Sequence, residues 1–139
     1  MRIMAIDYGQ ARTGVAISDA LGMLAGYTTV IQSWSREKTL EELLRLVREH
    51  QVEELVLGYP KNMNNTLGEK ARSCEELAGE LRKRTGLKVT LWDERLTTVD
   101  AHHILHANGR KMKKHRRNVD AVAAALILEG YLARKNGGI

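Results

Sequence analysis

The sequence predicts an α/β fold, a mixed five-stranded sheet in the order β-β-β-α-β-α-β-α-α with helices on both faces. Three features of the 139-residue chain carry this expectation. Short apolar runs open the chain, separated by a glycine-containing turn. From Leu40 the spacing of apolar residues lengthens to three and four. Beyond it, apolar runs of strand length alternate with amphipathic stretches, the pattern of parallel strands joined through helices.

The elements follow in order. Arg2 to Asp7 (RIMAID) and Gly14 to Ser18 (GVAIS) are apolar runs, and the short segment Tyr8 to Thr13 between them makes an antiparallel hairpin. Tyr27 to Gln32 alternates as a third strand. Leu40, Leu43, Leu44 and Val47 share one face of a helix that starts near Ser35. Glu53 to Tyr59 is a buried-type strand stopped by Pro60, the single proline. Thr66 and Glu69 have capping-box spacing, and Ala71, Cys74, Leu77, Ala78 and Leu81 continue the stripe of that helix. Leu87 to Trp92 is the last strand. Helices follow from about Thr97 to Ala107 and from about Asn118, the latter with Val119, Val122, Ala123, Leu126 and Ile127 on one face. A strand–helix–strand connection makes the first strand parallel to the strand at Val56.

Composition narrows the class. Hydrophobic residues make up 43% of the chain, with no Phe, so a core is built from aliphatic side chains and disorder is excluded. The length fits one domain, 1–139. No apolar run reaches the roughly 20 residues of a membrane span, and the N-terminus lacks a signal-peptide pattern. The one cysteine, Cys74, suits a reducing compartment, so a cytoplasmic protein with no membrane partner is expected. The formal net charge of +5 is unevenly distributed. Six of the 22 basic residues, Arg110, Lys111, Lys113, Lys114, Arg116 and Arg117, fall in one acid-free stretch, and the remainder of the chain is near neutral. Such a segment fits a polyanion, because each cation near a phosphate releases counterions.

Ligands of an open α/β sheet gather beyond the carboxyl ends of the parallel strands. Asp7 ends the first strand, Glu94 follows the last, and Asp120 opens the final helix. Three carboxylates in one cleft repel, and so either raise a pKa or recruit a cation; hard oxygen donors select Mg²⁺ or Mn²⁺ over zinc. Asp93 is the alternative to Glu94. His102, His103 and His106 have helical ligand spacing, but no further Cys or His pattern completes a zinc site, and a polar helix face near the substrate is the better reading. Of the two tryptophans, Trp92 fits packing, whereas Trp34 could pack or stack on a base.

Four segments resemble one family. Asp7 to Ala16 (DYGQARTGVA) matches the D-x-G-x-x-R-x-G-x-A opening of the YqgF/RuvX family, and Leu57-Gly58-Tyr59-Pro60 its G-x-P segment. Trp92 to Thr98 (WDERLTT) matches its D-E-R-L-T-T segment, and Asp120 to Leu128 its closing D-x-x-A-A pattern. Asn65 departs from the pattern, standing where many members carry Gly. The resemblance implies a ribonuclease H-like fold and a metal-dependent nuclease, maturing the 5′ end of precursor 16S ribosomal RNA or resolving four-way DNA junctions. It places the catalytic and metal-holding acids on Asp7, Glu94 and Asp120, with two Mg²⁺ (or Mn²⁺) ions and in-line displacement at phosphorus. Arg12, Lys61 and Arg95, together with the basic segment, are the phosphate-binding candidates. Precursor rRNA is favoured over structured DNA by the family description alone. A junction resolvase would need a homodimer, but no residue here decides between monomer and homodimer.

Two other readings compete. The Asp7–Gly14 hairpin also resembles the phosphate loop of the actin and sugar-kinase superfamily, whose members enclose nucleotide between two such domains. A non-catalytic nucleic-acid-binding or ribosome-assembly factor would need the cations but not the acids. For either nucleic-acid reading, replacing the six cations of 110–117 by glutamine is expected to weaken RNA or DNA binding. It should also flatten the dependence of log Kd on log salt by up to about 0.7–0.9 per contact removed, measured by fluorescence anisotropy.

Overall fold

The computed structural model describes residues 1–22, 25–60, 68–93 and 119–136. Five strands, β1 (Ile3–Asp7), β2 (Arg12–Ser18), β3 (Ala25–Gln32), β4 (Glu54–Tyr59) and β5 (Lys88–Asp93), form one sheet in the order β3-β2-β1-β4-β5. The described helices are α1 (Arg36–His50), α2 (Glu69–Thr85) and α3 (Val119–Lys135). β1 pairs antiparallel with β2 and parallel with β4, Ala5 standing opposite both Ala16 and Val56. β5 joins parallel to β4. The mixed sheet, the hairpin and the parallel partner at Val56 are as expected from sequence.

Alternation along the strands builds two apolar layers. Met4 and Ile6 of β1, Val15 and Ile17 of β2, and Leu55, Leu57 and Tyr59 of β4 face α1 and α2, where Leu40, Leu43, Leu46, Leu77 and Leu81 complete the larger core. Ile3, Ala5, Ala16, Val56 and Trp92 face α3 and pack on Ala124, Ile127, Leu128, Tyr131 and Leu132. Trp92 is buried edge-on to Tyr131, with ring centroids 5.7 Å apart, so it is a packing residue as expected. Among the described residues, no helix is long and apolar enough to cross a membrane.

Helix ends show where local chemistry rules. Ser35 caps α1 through its hydroxyl, which accepts from the Lys38 N–H. α2 differs from expectation. Its first residue is Glu69 and its N-cap is Gly68, without a side-chain cap, so Glu69 is a first-turn acid rather than the third residue of a capping box. Thr66, its expected partner, lies outside the described residues, as does the expected helix 97–107. The buried face of α3 is also rotated from the one expected. Ala121, Ala124, Leu128 and Leu132 are buried together with Leu126 and Ile127, while Val122 and Ala123 are only half-buried. Periodicity could not choose between these faces, because residues 121–128 of α3 are apolar all round.

The far end of α3 is fastened by a buried polar cluster. Glu54, at the start of β4, is 4% exposed and accepts hydrogen bonds from the Tyr131 hydroxyl and, at 2.5 Å, from the Lys135 ammonium. Burial pushes its carboxyl up, but the bonds from Lys135 and Tyr131 and the charges of Lys135 and Lys88 hold it below the ordinary value of 4.5. A depressed carboxyl adds stability that is present above its unfolded pKa and lost as pH falls through the folded one. Urea unfolding of the parent should therefore show stability falling as pH drops from 7 to below 4.5. Glu54→Gln is expected to be about 1–3 kcal/mol less stable at pH 7. Its stability should vary less over the same acid range.

Candidate active site at the carboxyl edge of the sheet

The carboxyl ends of β1, β4 and β5 lie along one edge. Ile6 pairs with Leu57 and Leu57 with Leu91, so Asp7 stands one step further, level with Gly58 and Trp92. Asp7 continues the Ile3–Ala5 series and therefore belongs to the α3 face. It is half-buried, and its partner across the hairpin is Gly14. Arg12, two residues before Gly14 on β2, is on the same face and exposed. The hairpin thus sets one carboxylate and one guanidinium on the same face of the same edge.

The loop between them is fixed by its own chemistry. Thr13 is buried at 1% exposure, and its hydroxyl both accepts from the Gly9 N–H (3.5 Å) and donates to the Gly9 carbonyl (3.4 Å). Gly9 turns its α-carbon toward the Arg12 backbone, where an added Cβ would overlap the Arg12 carbonyl oxygen. Sequence reasoning passed over Thr13. Its signal was a polar residue at the start of an otherwise apolar strand.

The polarity of α3 brings its first turn to this edge. Ala121, Val122 and Ala125 share a cleft of about 590 Å³ with Thr28, Val30 and Gln32 of β3, and Gln32 pairs with Arg12 at the Asp7 end of the sheet. At the other end of α3, Lys135 meets Glu54 and the Asn136 amide donates to the Gly22 carbonyl in the β2–β3 turn. Asp120 is the second residue of α3, so its backbone belongs to the first turn, beside this edge.

The alternative acid separates from the group. Asp93 continues the Val89–Leu91 series of β5, which packs toward α1 and α2, whereas Trp92 faces α3. Asp93 and Asp7 are therefore on opposite faces. Glu94, Lys61, Asn65, Arg95, the histidines 102, 103 and 106 and the basic segment Arg110 to Arg117 lie outside the described residues. On the α1 and α2 face, Tyr8 is half-buried against the core cluster that includes Cys74. Burial raises its phenol, with the Arg36 charge opposing and Cys74 and Glu76 reinforcing. Tyr59 donates to the Glu75 carboxylate at 2.5 Å, and that bond raises its phenol. The Tyr59 hydroxyl thus ties β4 to α2 on the face opposite Asp7.

The chain is similar to known proteins in sequence and in fold. A family model described as "RuvX: Holliday junction resolvase" matches residues 1–134. A protein of Lachnospira eligens named "Putative pre-16S rRNA nuclease" is 44% identical over 138 residues, covering 97% of this chain and 99% of that one. A protein of Desulfitobacterium hafniense with the same name is 45% identical over 141 residues, covering 99% and 97%. Among solved structures, Thermus thermophilus RuvC superposes with a TM-score of 0.61 at 14% identity, covering 99% of this chain and 97% of that one. That likeness is one of fold. Gly9→Ala should force the hairpin loop to move, lowering stability by about 1–3 kcal/mol in thermal unfolding.

Proposed function

This chain belongs to the RuvX family, and we propose that it is a nuclease that hydrolyses phosphodiester bonds and processes the 5′ end of precursor 16S rRNA. The observation that carries the reading is the placement of Asp7 at the carboxyl edge, on the face of Arg12 and beside the first turn of α3. The names of the Lachnospira and Desulfitobacterium relatives support the rRNA substrate. The family description supports a second substrate, the four-way DNA junction.

The acids assigned to the work are Asp7, Glu94 and Asp120. As a donor set they offer carboxylate oxygens only, which fits Mg²⁺ or Mn²⁺, and they would hold the ion. A divalent cation bound there supplies Lewis-acid neutralisation at the scissile phosphate and lowers the pKa of an attacking water. The chain's own groups do the rest. Arg12 offers paired N–H donors to phosphate oxygens, a geometry that lysine does not match. Arg95, Lys61 and the cations of 110–117 are assigned to the flanking backbone, where contacts position a strand without reading its sequence. A phosphate clamp of this kind is indifferent to the sugar, so the edge itself favours neither RNA nor DNA.

The test is cleavage with Mg²⁺ on a precursor-rRNA 5′ end and on a four-way DNA junction, side by side. The parent should cut the RNA in preference to the junction, and Asp7→Asn should cut neither while binding both as tightly as the parent or more so. Equal cleavage by parent and Asp7→Asn would remove Asp7 from the chemistry. Cleavage of the junction alone would assign the second substrate.

A further inference from the structure

Trp34 is 81% exposed, while Trp92 is buried in the core. An indole combines a large flat apolar face with a polar N–H, which is why tryptophan is enriched where proteins make contacts. Trp34 follows the carboxyl end of β3, two residues beyond Gln32, and Gln32 pairs with Arg12. It therefore stands at the same edge of the sheet as Asp7 and Arg12. From the two intervening strand spacings and the four-residue rise beyond Val30, which is level with Asp7, it lies roughly 16 Å from Asp7.

The backbone beneath the indole is held in place. The Ser33 N–H donates to the Ala11 carbonyl at 3.0 Å, tying this turn to the hairpin loop that carries Arg12. The Ser35 N–H donates to the Ser33 hydroxyl at 3.1 Å, and the Ser33 hydroxyl donates to the Ser35 carbonyl at 3.3 Å. Ser35 then caps α1. An exposed ring on a fixed turn is a preorganised platform, because little backbone entropy is lost when it is covered.

We propose that Trp34 stacks on an unpaired nucleobase of the substrate, a few nucleotides from the phosphate held at Asp7 and Arg12. The inference rests on the nuclease reading and deepens it. Every base offers a π-face, so stacking is indifferent to sequence and to the sugar, but it needs a base freed from a duplex. The platform thus selects strands with single-stranded flanks over fully paired ones. Exposed Arg12 and Gln32, between Trp34 and Asp7, supply polar contacts to the connecting backbone.

The chain has two tryptophans, and only Trp34 is exposed, so its emission reports stacking directly. Full-length protein is titrated with short oligoadenylates of ribose and of deoxyribose and with a blunt duplex, reading tryptophan fluorescence and anisotropy together. Both single strands should quench emission to saturation, and the duplex should not. Trp34→Ala should weaken single-strand binding by about 5- to 150-fold. Trp34→Phe should retain most of that affinity. With a cleavable single-stranded flank, Trp34→Ala should raise KM more than it lowers kcat. Single-strand binding with unchanged emission, equal in parent and Trp34→Ala, would overturn the stacking and leave the nuclease reading standing. So would quenching by the duplex as strong as by the single strands, or a Trp34-dependent dimer without quenching. A parent that neither binds nor cuts nucleic acid would overturn both.

Discussion

The double burial of β1 is the constraint on which the rest depends. Ile3 and Ala5 are enclosed by α3, Met4 and Ile6 by α1 and α2, and none of the four is more than 1% exposed. Hydrogen bonds to β2 on one side and to β4 on the other fix the same strand laterally. A slip of one residue would exchange the two faces, sending bulky Met4 and Ile6 into the layer shaped for Ile3 and Ala5. It would also carry Asp7 to the side of Tyr8 and Cys74. Packing over the whole sheet therefore decides on which face a single carboxylate emerges.

That carboxylate emerges where the fold collects its polar groups. The hairpin brings Arg12 to the Asp7 face, the Thr13 hydroxyl clamps the loop between them, and α3 runs with its first turn toward the same edge. The Glu54–Tyr131–Lys135 cluster anchors α3 at its far end, about as distant from the site as the helix allows. A buried carboxylate with two donors is costly to displace, so the cluster fixes the axial position of a helix whose apolar surface is otherwise uniform. The stability of that remote cluster and the geometry of the edge are coupled through one rigid element.

Much of this was legible in the sequence. Apolar runs of strand length gave the strands, the change of period gave α1, and the helical connection made β1 parallel to β4. Asp7 could be placed at the end of β1 because Ile3 to Ile6 form an unbroken apolar run stopped by a turn. The face on which Asp93 emerges stayed open in the sequence. It depends on which side of β5 Trp92 takes, and a run such as LKVTLW fits either side of a sheet covered on both faces. The rotation of α3 was hidden for a related reason, since the residues from Ala121 to Leu128 are all apolar. The start of α2 at Glu69 was missed because capping-box spacing is short and common, and Gly68 takes the cap without a side chain. Trp34 was undecided because exposure belongs to the tertiary structure.

Cation binding by matched carboxylate variants tests the central claim most directly, that face selection by β1 makes Asp7 the metal-holding acid. Mn²⁺ titrated into the parent, Asp7→Asn and Asp93→Asn, followed by the electron paramagnetic resonance of the free ion, compares the two faces of the sheet without reference to any substrate. The parent and Asp93→Asn should bind Mn²⁺ alike, and Asp7→Asn should bind it at least about tenfold more weakly. Mn²⁺ binding retained by Asp7→Asn and lost by Asp93→Asn would contradict the account.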